Sequence, residues 1–127
     1  MRLPIRSLAA ALPLSLLSAP AHAHHSAAAY DVTKQVTVEG VVDEFEWKNP
    51  HIYIILDVKG PDGGTVKQQF EAGSSSVLLP LGLTAHSIAA GEHVVISANP
   101  RRSGESGTLL GRTLTKDDGT VLPLYLT

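Results

Sequence analysis

The stretch Val36-Thr37-Val38-Glu39-Gly40-Val41-Val42-Asp43-Glu44-Phe45-Glu46-Trp47 carries two alternations that are out of step with each other. Val36, Val38 and Val42 fall on even positions with Thr37 and Glu39 between them, the period-2 signature of a half-buried strand. Phe45 and Trp47 fall on odd positions, with Glu44 and Glu46 alternating against them. A slip of one residue turns every side chain to the other face of a sheet. Both halves can therefore bury their apolar groups only if a bulge or strong bend lies near residues 40–44, where Gly40 lacks a side chain. A long first strand bent in this way serves both halves of a small barrel.

Downstream, Asn49-Pro50 breaks the run, because Asn-Pro starts turns and Pro has no ladder donor. Residues 51–58 form a second strand, with Ile52, Ile54, Leu56 and Val58 on one face and His51, Tyr53, Ile55 and Asp57 on the other. Residues 59–64, with Pro61, Asp62 and two glycines, make a hairpin loop, and residues 65–72 resume the alternation with Val66 and Phe70 inward. Ser74 to Ser76 offer a helix cap before Val77, but Pro80 and Gly82 limit the helix to a turn or two. Residues 84–90 supply another short helical turn. Strands follow at 93–98, 109–115 and 120–126, separated by a Gly/Ser/Pro loop at 99–107 and by the Asp117-Asp118-Gly119 turn. Three strands, a short helix, then two or three strands make an all-β chain with one short helix. That order matches the small Greek-key barrel of the oligonucleotide/oligosaccharide-binding (OB) type, with a small β-sandwich as the alternative.

The first 23 residues have the parts of a cleaved signal peptide. Arg2 and Arg6 form the positive region, residues 8–17 are apolar and contain Pro13, and Ala21-His22-Ala23 is a small-residue cleavage site. About ten apolar residues fall well short of the roughly 20 a membrane helix needs, so no membrane anchor is expected after cleavage. The expected organisation is a signal peptide at 1–23, an amino-terminal arm at 24–35 and the barrel at 36–127, in a periplasmic or secreted protein. Cleavage leaves 104 residues, enough for one domain.

The mature part has 8 basic and 12 acidic side chains, a net charge of −4 with histidines neutral. That sign speaks against nucleic acid as a partner, since phosphate binding needs clustered Lys and Arg. Arg101-Arg102, the one basic pair, reads as a solvated loop tip. There is no cysteine, and Met1 is the only methionine, so any metal must be held by nitrogen and oxygen. No nucleophile elbow, zinc-protease helix, phosphate loop or dinucleotide fingerprint occurs, so no enzyme is expected. Glu44 and Glu46 read as solvated, and His86 and His93 as ordinary surface residues.

Three stretches together resemble a family of small exported bacterial proteins of unknown function: Ala23-His24-His25-Ser26, the run from Val38-Glu39-Gly40 to Glu46-Trp47-Lys48-Asn49-Pro50-His51, and Ala90-Gly91-Glu92-His93-Val94. The Trp-x-Asn-Pro-His run is the most specific of them. Members of that family often carry Arg and Trp where this chain has Leu81-Gly82-Leu83-Thr84. The resemblance implies export and an OB-like fold, and it implies no chemistry.

Two groups of residues could bind something. Trp47, Asn49, His51 and Tyr53 flank the turn between the first two strands, and in barrels of this type that loop and face form a ligand surface. The competing reading has Trp47 closing the barrel mouth and Tyr53 covering the core. The second group is His24, His25 and His51. Cleavage after Ala23 makes His24 the first residue, whose amine and imidazole Nδ1 can chelate one ion, and copper is the metal such a nitrogen set implies. The leading functional reading is a binding or accessory module for a small ligand, metal ion or periplasmic protein. A metal-handling protein is the alternative, and an enzyme of unrecognised type the third.

Overall fold

The computed structural model describes residues 26–126. Six strands run in the order β1 (Val36–Glu46), β2 (Tyr53–Lys59), β3 (Thr65–Glu71), β4 (His93–Asn99), β5 (Leu109–Lys116) and β6 (Val121–Pro123), with one short helix, α1 (Ser75–Leu78), between β3 and β4. The sheet order is β3-β2-β1-β4-β5-β6, and a parallel pairing of β3 with β5 closes it, leaving β6 beyond β5. Neighbours are otherwise antiparallel. A three-stranded meander, a helix, and two further strands closed by that pairing make a small OB-like Greek-key barrel.

β1 belongs to both halves. Its first part, Val36 to Val41, pairs with β4, and its second part, from Val41 to Glu46, pairs with β2. The register to β2 jumps between Val42 and Glu44, so Asp43 is the extra residue that reconciles the two alternations. Gly40 is required beside it. A Cβ there would stand 2.5 Å from the Asp57 carbonyl oxygen and 2.9 Å from Val58 Cγ1.

The core draws Val42, Ile54, Leu56 and Phe70 from the meander, Val94, Ile96 and Ala98 from β4, and Leu114 from β5. Leu78, Leu83 and Ile88, from the β3–β4 connection, seal one end. Without disulfides this burial is the main stabilising term, about 2 kcal/mol for each leucine-sized side chain removed from water. Ser74 precedes α1 but makes no side-chain cap, its hydroxyl lying 2.9 Å from that of Ser76 instead. A 3₁₀ turn at Leu79–Leu81 follows and ends at Gly82, whose φ of 90° favours glycine.

Three expectations need correction. Residues 84–90 form turns rather than a helical turn, and the last strand is Val121–Pro123 rather than 120–126. Val66 has the inward phase but is 47% exposed, because it pairs with Val58 close to the hairpin tip, beyond the reach of the core.

Candidate functional site

Strand register lines up a row of residues on the outer surface of the barrel. Glu46 is opposite Tyr53, Tyr53 is opposite Glu71, and Glu71 is opposite Leu110. Residues directly across a ladder share a face. His51, two positions before Tyr53, continues the same face as the chain enters β2. The inward neighbours Ile52, Ile54 and Phe70 are fully buried, so the backbone under this row is fixed by the core.

Residues 26–35 cover one end of the row. Ser26–Ala29 is a 3₁₀ turn, and Tyr30 then makes a bridge with Arg101. Asp31 N donates to the Pro100 carbonyl at 2.8 Å, and Arg102 donates from its backbone N to Ala29 and from Nε to Ala28. The Arg101 guanidinium stands 5.4 Å from the Tyr30 ring centroid. The two arginines are therefore clamps on the arm, not a solvated tip. Asn99 Nδ2 adds a bond of 2.6 Å to the Lys34 carbonyl.

This clamp drives Tyr30 down to 1% exposure, and its hydroxyl donates to Glu71 Oε2 at 3.0 Å. Glu71 is itself only 8% exposed. Its other oxygen, Oε1, lies 3.4 Å from His51 Nδ1. That distance is within ion-pair range but longer than an N–H···O hydrogen bond. Burial, followed by the charge of Glu71, holds the Tyr30 hydroxyl well above the usual phenol range, so it stays a donor at any physiological pH. The Tyr53 hydroxyl is raised for the same two reasons, burial first and Glu71 second.

Lys48 lies over the row, and Asn49 follows it in the turn. Lys48 Nζ lies 5.5 Å from the Tyr53 ring centroid and 2.6 Å from Glu46 Oε2, and the bond to Glu46 raises its pKa. Asn49, joined to Pro50 by a cis peptide bond, accepts a 2.9 Å hydrogen bond from Ser75 Oγ. Trp47 goes elsewhere: it packs edge-on against Phe45, ring centroids 5.9 Å apart, and rests half-buried on the core. His51 and Tyr53 thus share one face, the rim; Asn49 is bonded to α1 in the turn before them, and Trp47 belongs to the inward side.

His24 and His25 lie outside the described residues. Among the described residues no three His, Asp or Glu side chains converge as a metal cluster. Tyr30, Glu71 and Arg101 are the members of the rim that reading the sequence misses. For Glu71 a signal exists, since it follows the inward Phe70 and must share the face of Tyr53. Its burial, however, depends on an arm whose sequence has no period.

His93 is also more engaged than a surface histidine need be, with Nε2 2.9 Å from Glu39 Oε1 and Nδ1 2.6 Å from Asp117 Oδ1. It lines a shallow pocket with Gly40, Val41, Asp57 and Lys59.

No curated protein matches the chain. Among solved structures, the mitochondrial single-stranded DNA-binding protein Rim1 of S. cerevisiae matches with 14% identity and a TM-score of 0.48, over 66% of this chain and 94% of that one. A family model matches residues 12–110, most of the chain and all of the rim: the protein belongs to DUF6152, a family of unknown function.

Proposed function

We propose that the protein is an exported, non-catalytic binding module, released by cleavage after Ala23, that takes its ligand on the rim around His51 and Tyr53. Glu71 is the observation that supports this best. Burying a carboxylate costs several kcal/mol before compensation, and a barrel stabilised by its apolar interior does not need one on its outer face. Here it is held in place by Tyr30, at 8% exposure, beside a histidine. The rim cations are already engaged, Lys48 by Glu46 and Arg101 by the Tyr30 ring, which favours a ligand other than nucleic acid.

The test is chemical-shift mapping of the ¹⁵N-labelled mature protein against fractionated periplasmic extract. Perturbations confined to Lys48, Asn49, His51 and Tyr53 are expected, and perturbations centred on another face would refute the assignment. Amino-terminal sequencing of the exported protein should begin at His24; a protein that still begins at Met1 would remove export from the proposal. Metal handling through His24, His25 and His51 is the second reading, favoured by the position of His51 against Glu71.

A further inference from the structure

We infer that the free edge of β3, from Thr65 to Gln69, takes up an extended segment of a partner protein as an added strand, a second binding surface independent of the rim. β3 pairs with β2 along its whole length but with β5 only at Phe70 and Glu71. From Thr65 to Gln69 the other side of the strand has no ladder among the described residues. Which main-chain groups face that side follows from the hairpin. Gly60 N donates to Gly64 O at 2.7 Å, so the alternation makes Val66 and Gln68 the hydrogen-bonded partners of Val58 and Leu56. Thr65, Lys67 and Gln69 fall between them and turn their N–H and C=O groups away from β2. Such a row is a template on which a further strand can pair.

The space beside the edge suits that guest. A pocket of about 380 Å³ lies between Lys67, Gln68 and Gln69 on one side and Ser106, Gly107 and Thr108 on the other. Gln68 Nε2 donates across it to Gly107 O at 2.7 Å, and also to Gln69 O at 3.0 Å. Thr108 Oγ1 donates to Gln69 Oε1 at 2.9 Å. A primary amide carries the donor and acceptor of a peptide group. Gln68 therefore stands in for one main-chain rung where β3 and β5 diverge, and the main chain of a guest can displace it.

Val66 indicates what the guest carries. It has the inward phase but is 47% exposed, and an apolar side chain on a neighbouring strand would cover it. Lys67, on the other face, is already held by Asp57 at 2.6 Å and by Asp43 at 2.9 Å, so the edge requires no charge opposite it. Residues 106–108 flank the edge, so a single extended segment can enter where the β3 of a second barrel would meet the loop. The occupant is a short, extended, uncharged segment with an apolar residue.

The experiment titrates the ¹⁵N-labelled protein with the peptide acetyl-Thr-Val-Thr-Val-Thr-Lys-amide. Two copies of the peptide serve as controls, one N-methylated at every threonine and one at every valine. Shifts are expected at residues 65–69 and 106–108, with slowed hydrogen exchange at the Lys67 and Gln69 amides. One methylated copy should bind about tenfold more weakly than the parent and the other should keep its affinity, because only alternate N–H groups of a strand face its neighbour. Val66→Lys should weaken the parent peptide about tenfold, as charge on an edge strand blocks pairing. Gln68→Ala should tighten it about threefold, because no side chain then has to be displaced. Melting curves establish that both variants fold, and the peptide controls need no variant.

Equal binding by all three peptides, or no shifts at about 1 mM parent peptide, would overturn the added strand. So would shifts confined to His51 and Tyr53, which would assign the peptide to the rim. Dimerisation through residues 65–69 without peptide, seen by sedimentation, would give the edge to a second copy and overturn the partner segment.

Discussion

Tyr30 and Glu71 lie 41 positions apart and meet through a single hydrogen bond of 3.0 Å between two side chains that are each almost fully buried. The bond ties the arm to the outer face of the barrel.

Tyr30→Phe should therefore cost about 2 kcal/mol, the range for losing a hydrogen bond to a charged, buried acceptor. Urea unfolding measures it. Loss of protection in residues 26–35 by hydrogen exchange, with the strands unaffected, would locate the damage in the arm. An unchanged unfolding midpoint would mean that the clamp on Arg101 and Arg102 holds the arm unaided.

Gly40→Ala separates propensity from packing. A strand-interior glycine costs about 0.5–1 kcal/mol relative to alanine, so propensity alone predicts a gain. The Cβ would stand 2.5 Å from a backbone oxygen of β2, so we expect a loss of about 1–3 kcal/mol instead. Equilibrium denaturation gives the sign directly.

His93 should make stability depend on pH. Its pKa is raised above 6.5, first by the hydrogen bond to Asp117 and then by the charges of Asp117 and Glu39. A histidine raised in the folded state contributes stability that is complete below its unfolded value and is lost as pH rises through the folded value. The stability advantage over His93→Gln should thus be full below about pH 6.5 and fade above it. An NMR titration should give a midpoint above 6.5; a midpoint below that value would contradict the double carboxylate contact.

Trp47→Ala should act on stability more than on the rim. The ring is half-buried against Phe45 and the core, so the loss is about 2–3 kcal/mol, below the range for a fully buried aromatic. Extract titrations of the folded variant should still perturb His51 and Tyr53. Loss of those shifts at unchanged stability would return Trp47 to the ligand surface.

The barrel was legible in the sequence because its cause is local. The phase change between Val42 and Phe45 demands an irregularity, and the extra residue is Asp43. Pro80 and Gly82 likewise bound the helix by backbone rules that no tertiary contact overrides. His51 and Tyr53 share a face for the same reason, since alternation alone sets it. Trp47 was harder: it follows the last residue of β1, and only the inward phase inherited from Phe45 tells which way it goes. Tyr30 and Glu71 were out of reach, because their meeting depends on Arg101 and Arg102 capturing the arm from a loop some 70 residues downstream. Nothing periodic marks such a contact.

The pairing of β3 with β5 has just two rungs, Phe70 with Leu109 and Glu71 with Leu110. Every other join in the cylinder is longer, so thermal breathing should begin at this seam, with a Gln68 side chain bridging to Gly107 just outside it. One of the two rungs carries the buried carboxylate. Whatever occupies the outer face there would act as a rivet across the weakest line of the wall, so that filling the rim and keeping the cylinder shut become the same event.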